Sequence, residues 1–170
     1  MIYIFEVLSP ENPDFKRLIH IGNDHTFEDL HQIIQNSCDY DQSQLASFFI
    51  INGRGRRSVE IISLDSAVND PKLPSMQKTK LNEYIKEVGQ KLIYMYDFFD
   101  ERYFYFELKG KIMKTDLKEP FVAYENGKTP IQFLINDLDS PEVDLLVSNE
   151  SYQSFGDLED YYEIFGEMDA

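Results

Sequence analysis

Three carboxylates, a tyrosine and an arginine crowd into seven residues: Tyr96, Asp97, Phe98, Phe99, Asp100, Glu101 and Arg102. Carboxylates beside aromatic faces could take a hard cation through oxygen ligands or a basic peptide against the rings. The spacing of Asp97, Asp100 and Glu101 matches no EF-hand loop, and no glycine supplies that loop's sharp turn, so no metal is assigned. The plainer reading is a strand–turn–strand segment. Eight of the thirteen residues from Tyr94 to Phe106 are aromatic, and their alternation makes a core row, with the acids keeping an exposed bend in solvent.

Two other groups could do chemistry. Arg54, Arg56, Arg57 and Ser58 follow Asn52-Gly53, a basic tip able to touch phosphate. The glycines do not make a phosphate loop, because the lysine ending and the strand-to-helix setting are missing. His20, His25 and His31 could join Asp29 around a metal, but no pair has the one-turn spacing of a zinc helix. They are read as scattered surface histidines. No nucleophile elbow appears, and the abundant acids single out no acid–base pair. No catalytic residue, cofactor or metal is assigned.

The elements that position these groups follow from periodicity. The runs from Ile2 to Ser9 and from Phe15 to Gly22 alternate around "ENPD", so they read as a hairpin. Thr26 and Asp29 form a capping-box pattern. Phe27, Leu30, Ile33, Ile34 and Cys38 then share one helical side. "LASFFII" and "SVEIIS" flank Asn52-Gly53, a strong hairpin signal. Residues 65–80 read as loop. A second helix is expected from Thr79 to Val88, with Gly89 stopping it. The aromatic pair of strands comes next. In the second of these, Phe104, Phe106 and Leu108 share one face and Tyr103, Tyr105 and Glu107 the other. Beyond Lys118 the pattern thins, and "ENGKTP" reads as a turn. In the tail, Leu158, Tyr161, Tyr162, Phe165 and Met168 recur as one side of a short amphipathic helix.

This order predicts an α+β fold: a mixed or antiparallel sheet with helices packed on one face, β-grasp-like (ββαββαββ), plus a C-terminal extension. The expected division is residues 1–132 for that domain and 133–170 for the acidic extension. The net charge of −15 repels phosphate backbones and anionic membranes. Cys38 is the single cysteine and reads as a buried small hydrophobe. No run reaches the length of a membrane span, and the N-terminus lacks a basic leader, so the expected compartment is cytoplasmic.

The segment "YMYDFFDERYFYFEL", together with "TFEDLHQIIQNSCDYDQSQLASFFI" upstream, resembles the plasmid pRiA4b ORF-three-like family, whose members also carry a TnpR-type insertion-element passenger label. Tyr96, Asp97, Phe98 and Asp100 match its tyrosine-aspartate-phenylalanine-glycine-aspartate signature, as do Leu30, His31 and Asp41 in the upstream block. The resemblance runs over about residues 1–132. Phe99 stands where the family has glycine, a tryptophan near Arg102 is missing, and Gln44 and Ala46 replace histidines. The resemblance implies an α+β domain and no defined reaction. The resolvase-like label is not carried over as recombinase chemistry.

The leading functional expectation is a non-catalytic cytoplasmic interaction domain. Its surface would combine Tyr96, Asp97, Asp100, Glu101 and Arg102 with the acidic tail, facing a basic partner or a second copy. Arg54, Arg56 and Arg57 belong to the same candidate surface. They also carry the first alternative, a nucleic-acid-associated factor linked to mobile elements. A metal-dependent or hydrolytic enzyme is the second.

Overall fold

The computed structural model describes residues 1–64 and 74–134. The alternating runs at the N-terminus form β1 (Ile2–Leu8) and β2 (Lys16–Gly22), followed by α1 (Phe27–Cys38), β3 (Ser47–Ile51) and β4 (Arg57–Ile62). A one-turn helix α2 (Leu81–Tyr84) precedes β5 (Lys91–Asp97), β6 (Arg102–Ile112) and β7 (Phe121–Asn126). The strands form one seven-stranded sheet in the order β4-β3-β5-β6-β1-β2-β7. Every pairing in it is antiparallel.

Two compact units divide the chain. One, Met1–Asn52 with Arg57–Pro130, holds the sheet. The other comprises Gly53–Arg56 and Ile131–Ala170. Within it, residues 53–56 form the turn joining β3 to β4, with Gly55 at φ 77°, a conformation that glycine adopts without a side-chain penalty. The expected C-terminal helix, with Leu158 to Met168, lies outside the described residues.

Alternation decides which rings reach the core. Phe48 on β3, Tyr94 and Tyr96 on β5, Phe104 and Phe106 on β6 and Phe5 on β1 are all fully buried. They interlock: Phe48 and Tyr94 lie 4.7 Å apart, and Phe15 stacks on Phe104 at 4.8 Å. Such aromatic pairs add about 0.5–1.5 kcal/mol beyond area burial. The α1 helix adds Phe27, Leu30, Ile34 and Cys38. Its start is the capping box read from sequence: Thr26 Oγ1 accepts from the Asp29 amide at 3.1 Å, and Asp29 Oδ2 accepts from the Thr26 amide at 3.0 Å. Asp39, at φ 56°, ends it in the left-handed region.

The fold-class expectation is corrected. The described residues build a mostly-β fold on one antiparallel sheet, not an α+β, β-grasp-like arrangement with helices packed over the sheet. Among the described residues, twelve helical residues in α1 and four in α2 cannot make a layer over seven strands. Two elements differ from the expectation. The helix expected from Thr79 to Val88 shrinks to a single turn, because Ile85 is extended (φ −111°, ψ 115°) and Gln90 takes over the chain beyond. Gln90 Oε1 accepts from the Lys86 amide at 3.0 Å, and its Nε2 donates to the Tyr84 carbonyl at 2.6 Å. These are the groups a continuing helix would have paired for itself. The second difference is β7, a strand in a stretch whose sequence pattern is thin.

Candidate functional site

The β5–β6 hairpin places the acidic bend. Asp97 pairs with Arg102 across its base, and a register shift between Met95 and Asp97 marks a bulge at Tyr96. Bulges re-aim side chains and gather beside functional sites. Residues 98–101 close the turn, with Glu101 at φ 52°.

The bend is solvated only in part: Asp100 and Glu101 stay at the surface, but Asp97 does not. Asp97 is only 2% exposed and Arg102 only 7%. Asp97 Oδ1 accepts from the amides of Phe99 at 3.1 Å and Asp100 at 3.3 Å, so the carboxylate braces its own turn. Its Oδ2 lies 3.5 Å from Arg102 Nη1.

Arg102 meets a partner that the sequence reading missed. Pairing of β1 with β6, with Leu8 opposite Tyr105, carries the chain beyond β1 alongside the bend. Glu11 there accepts from Arg102 through both oxygens, Nε to Oε1 at 2.6 Å and Nη2 to Oε2 at 2.8 Å. This fork is the geometry in which arginine and carboxylate bind most specifically. The Tyr96 hydroxyl donates to Glu11 Oε2 at 3.3 Å, and the Arg102 guanidinium lies 5.3 Å from the Tyr96 ring. Burial, then the Glu11 charge, raises the Tyr96 hydroxyl above its ordinary pKa. Tyr96 also packs on Tyr40 at 5.2 Å, whose hydroxyl donates to the Pro130 carbonyl at 2.5 Å.

What remains outward is aromatic and acidic. Phe99 is 79% exposed and Phe98 39%, while Asp100 is exposed and Glu101 half-buried. Partial burial, then the charge of Asp97, raises the Asp100 carboxyl, with Arg102 opposing. Alternation would put Phe98 on the face of Tyr94 and Tyr96, but the strand ends at Asp97 and the turn leaves Phe98 exposed.

The arginines are placed elsewhere. Arg57 opposes Ile51, and β3 pairs with β5 so that Ile50 faces Leu92. Arg57 therefore sits at the Leu92 end of the sheet, away from Asp97 at the other end of β5. Its guanidinium lies 4.5 Å from the Phe49 ring. Arg54 and Arg56 are exposed in the β3–β4 turn.

The histidines do not gather. His25 Nδ1 lies 3.6 Å from Asp29, and His20 packs its ring 4.9 Å from Phe121. His31 is not a surface residue: it is 2% exposed, and its Nδ1 lies 2.6 Å from the Tyr94 hydroxyl. Gln35 Nε2 donates to the same hydroxyl at 2.6 Å, which leaves the Tyr94 proton to point at Nδ1 and fixes a neutral imidazole. Burial lowers the His31 pKa to about 4. No cluster of histidine, cysteine or acidic residues able to hold a metal ion occurs among the described residues. Burial also raises the Cys38 thiol to about 11, far from the activated range of a nucleophile. Among the described residues, no helix is long and apolar enough to cross a membrane.

Residues 2–132 match the model of a family described as Plasmid pRiA4b ORF-3-like protein. Among solved structures, the chain is similar to MM3350 of Methanosarcina mazei Go1, a protein of unknown function. The identity is 22%, the TM-score 0.58, and the match covers 76% of this chain and 71% of that one. At this identity the likeness concerns the fold. No curated protein matches the chain.

Proposed function

We propose that this chain, which belongs to the plasmid pRiA4b ORF-3-like family, is a non-catalytic interaction domain whose working surface is the tip of the β5–β6 hairpin. One observation carries the reading: the tip is braced from beneath while its rings face out. Asp97 and Arg102 are spent on the turn amides, on each other and on Glu11. The Phe99 ring buries little of its surface in the fold, at 79% exposure. A ring held outward on a fixed turn suits docking, because a partner finds the surface already ordered. Glu11 joins the bend in this surface; the acidic tail expected as its other element lies outside the described residues.

The test is the state of the full chain in a lysate of its own host. The reading expects it to elute from a sizing column in an assembly larger than its own 20.0 kDa. A Phe99→Ser variant with an unchanged thermal midpoint should return to the free position. Elution of the unaltered chain as free protein would overturn the reading.

A further inference from the structure

Resting on that interaction reading, we infer that the hairpin tip takes a basic protein segment carrying an apolar side chain. The apolar side seats on Phe98 and Phe99, and the cations face Asp100, Glu101 and Glu11.

Charge selects this occupant. Asp100 and Glu101 follow Phe99 in the turn, and the nearby cation, Arg102, is engaged by Glu11 and Asp97. Crowding is already felt: the Asp97 charge helps to raise the Asp100 carboxyl. A lysine or arginine brought to the tip relieves that repulsion, and its charge can lie over the open face of Phe99. A second copy docking through the same tip would set Asp100 and Glu101 against their own counterparts, at a total net charge of −15 per chain. Nucleic acid and anionic membrane meet the same repulsion.

Apolar contact selects the second half of the signature. Phe99 is the most exposed large hydrophobic residue among the described residues, and Phe98 is its neighbour on the same turn. Purely ionic partners would leave both rings wet. The turn does not need to be ordered on binding, since Asp97 holds the Phe99 and Asp100 amides and Arg102 ties the base to Glu11. Preorganised anchors of this kind carry most of the binding energy in small interfaces.

The experiment replaces Phe99 with the photo-crosslinker p-benzoylphenylalanine in the full chain, expressed in host cells, and maps the crosslinked peptide by mass spectrometry. The expected result is an adduct on a protein segment of net positive charge that contains an apolar side chain. Yield should fall at least about tenfold when Asp100→Lys and Glu101→Lys are added, since like charges across an interface repel. An adduct on an acidic or uncharged segment, on a second copy or on nucleic acid would overturn the basic partner class. With a protein adduct of either kind, the interaction reading would stand. No adduct at all would overturn both. Loss of yield counts only with the thermal midpoint unchanged; an intact fold whose adduct survives both lysines also overturns the partner class.

Discussion

Arg102 and Glu11 stand 91 residues apart in sequence and share a two-pronged ion pair, at 2.6 and 2.8 Å. The pair joins the loop after β1 to the turn after β5, with the guanidinium buried and the carboxylate partly open. The cost of breaking it is therefore unequal from the two sides. Arg102→Ala leaves Asp97 as a buried carboxylate with a lost partner and should destabilise by about 3 kcal/mol. Glu11→Ala should cost about 1–2 kcal/mol. In urea titrations the double variant should be less unstable than the sum, by about 1 kcal/mol or more. Arg102→Lys should not restore stability, because an ammonium cannot reach both Glu11 oxygens and Asp97 in one plane. Strict additivity would remove the pair from the account of the tip.

His31 gives a pH prediction of definite sign. Its folded pKa, about 4, lies below the unfolded value of about 6.5. Between the two, the unfolded chain binds more protons, so stability rises with pH there. The contribution is fully present above about pH 6.5 and drains away as pH falls toward 4. The difference of about 2.5 units corresponds to about 3 kcal/mol. Glu28 and Asp100, whose carboxyls are raised, act in the opposite direction over part of this range. The clean measurement is therefore a comparison with His31→Gln by urea denaturation at pH 7.5 and 4.5. The variant should lose less stability on acidification. Equal losses would mean that His31 is not held neutral by the fold.

Tyr94 is the acceptor and donor at the centre of that buried triad. Tyr94→Phe keeps the ring packed against Phe48 but removes the oxygen that faces both His31 Nδ1 and Gln35 Nε2. Two buried polar groups then lose a partner, and destabilisation of about 2–3 kcal/mol is expected. Tyr103→Phe tests the same change on the opposite face of the sheet, where the hydroxyl meets that of Tyr105 at 3.1 Å in a partly buried setting. It should cost about 1 kcal/mol or less. Thermal denaturation of both variants against the unaltered chain measures the gap.

Two glycines with positive φ should respond differently to alanine. At Gly127 (φ +80°) an added Cβ would lie 2.3 Å from the Asp14 carbonyl oxygen, inside hard backbone. The segment around it is gripped by Arg17, whose Nη1 donates to the Asn126 carbonyl at 2.7 Å and whose Nη2 donates to Thr129 Oγ1 at 3.2 Å. Gly127→Ala should displace the end of β7 and cost more than about 2 kcal/mol. Gly89 (φ +94°) has open space at its Cβ, so Gly89→Ala should cost only about 1 kcal/mol of backbone strain. Amide exchange in β2 and β7 should quicken in the first variant alone.

Local patterns were the legible part of this fold. Thr26 and Asp29 announced α1 because a capping box is completed within four residues. Asn52-Gly53 announced the β3–β4 turn, and alternation placed Phe104, Phe106 and Leu108 on the core side. What was illegible depended on distant partners. Glu11 reads as a turn residue until β1 is laid against β6. Ile85 fits a helical stripe with Leu81, and only the side chain of Gln90 and the Tyr3 hydroxyl, which donates to the Ile85 carbonyl at 2.6 Å, show why it is extended. Phe121–Asn126 hides because an edge strand exposed along most of its length carries no two-sided pattern. His31 looked like a surface residue because its hydroxyl partner lies 63 residues away.

Phe99 and Phe104 share one hairpin, but truncating them should affect stability very differently. Phe104 is fully buried against Phe15 and Tyr96, while Phe99 projects from the turn. Phe104→Ala opens a core cavity and should cost about 3–5 kcal/mol. Phe99→Ser removes exposed apolar surface and should shift stability by no more than about 0.5 kcal/mol. The comparison separates two reasons for placing a phenylalanine in this stretch. If Phe99→Ser destabilises as a core truncation does, the ring serves the fold and the tip loses its claim as a docking surface. If stability is unchanged, the fold does not need the ring, as the docking reading expects of a side chain held outward on a braced, acidic turn.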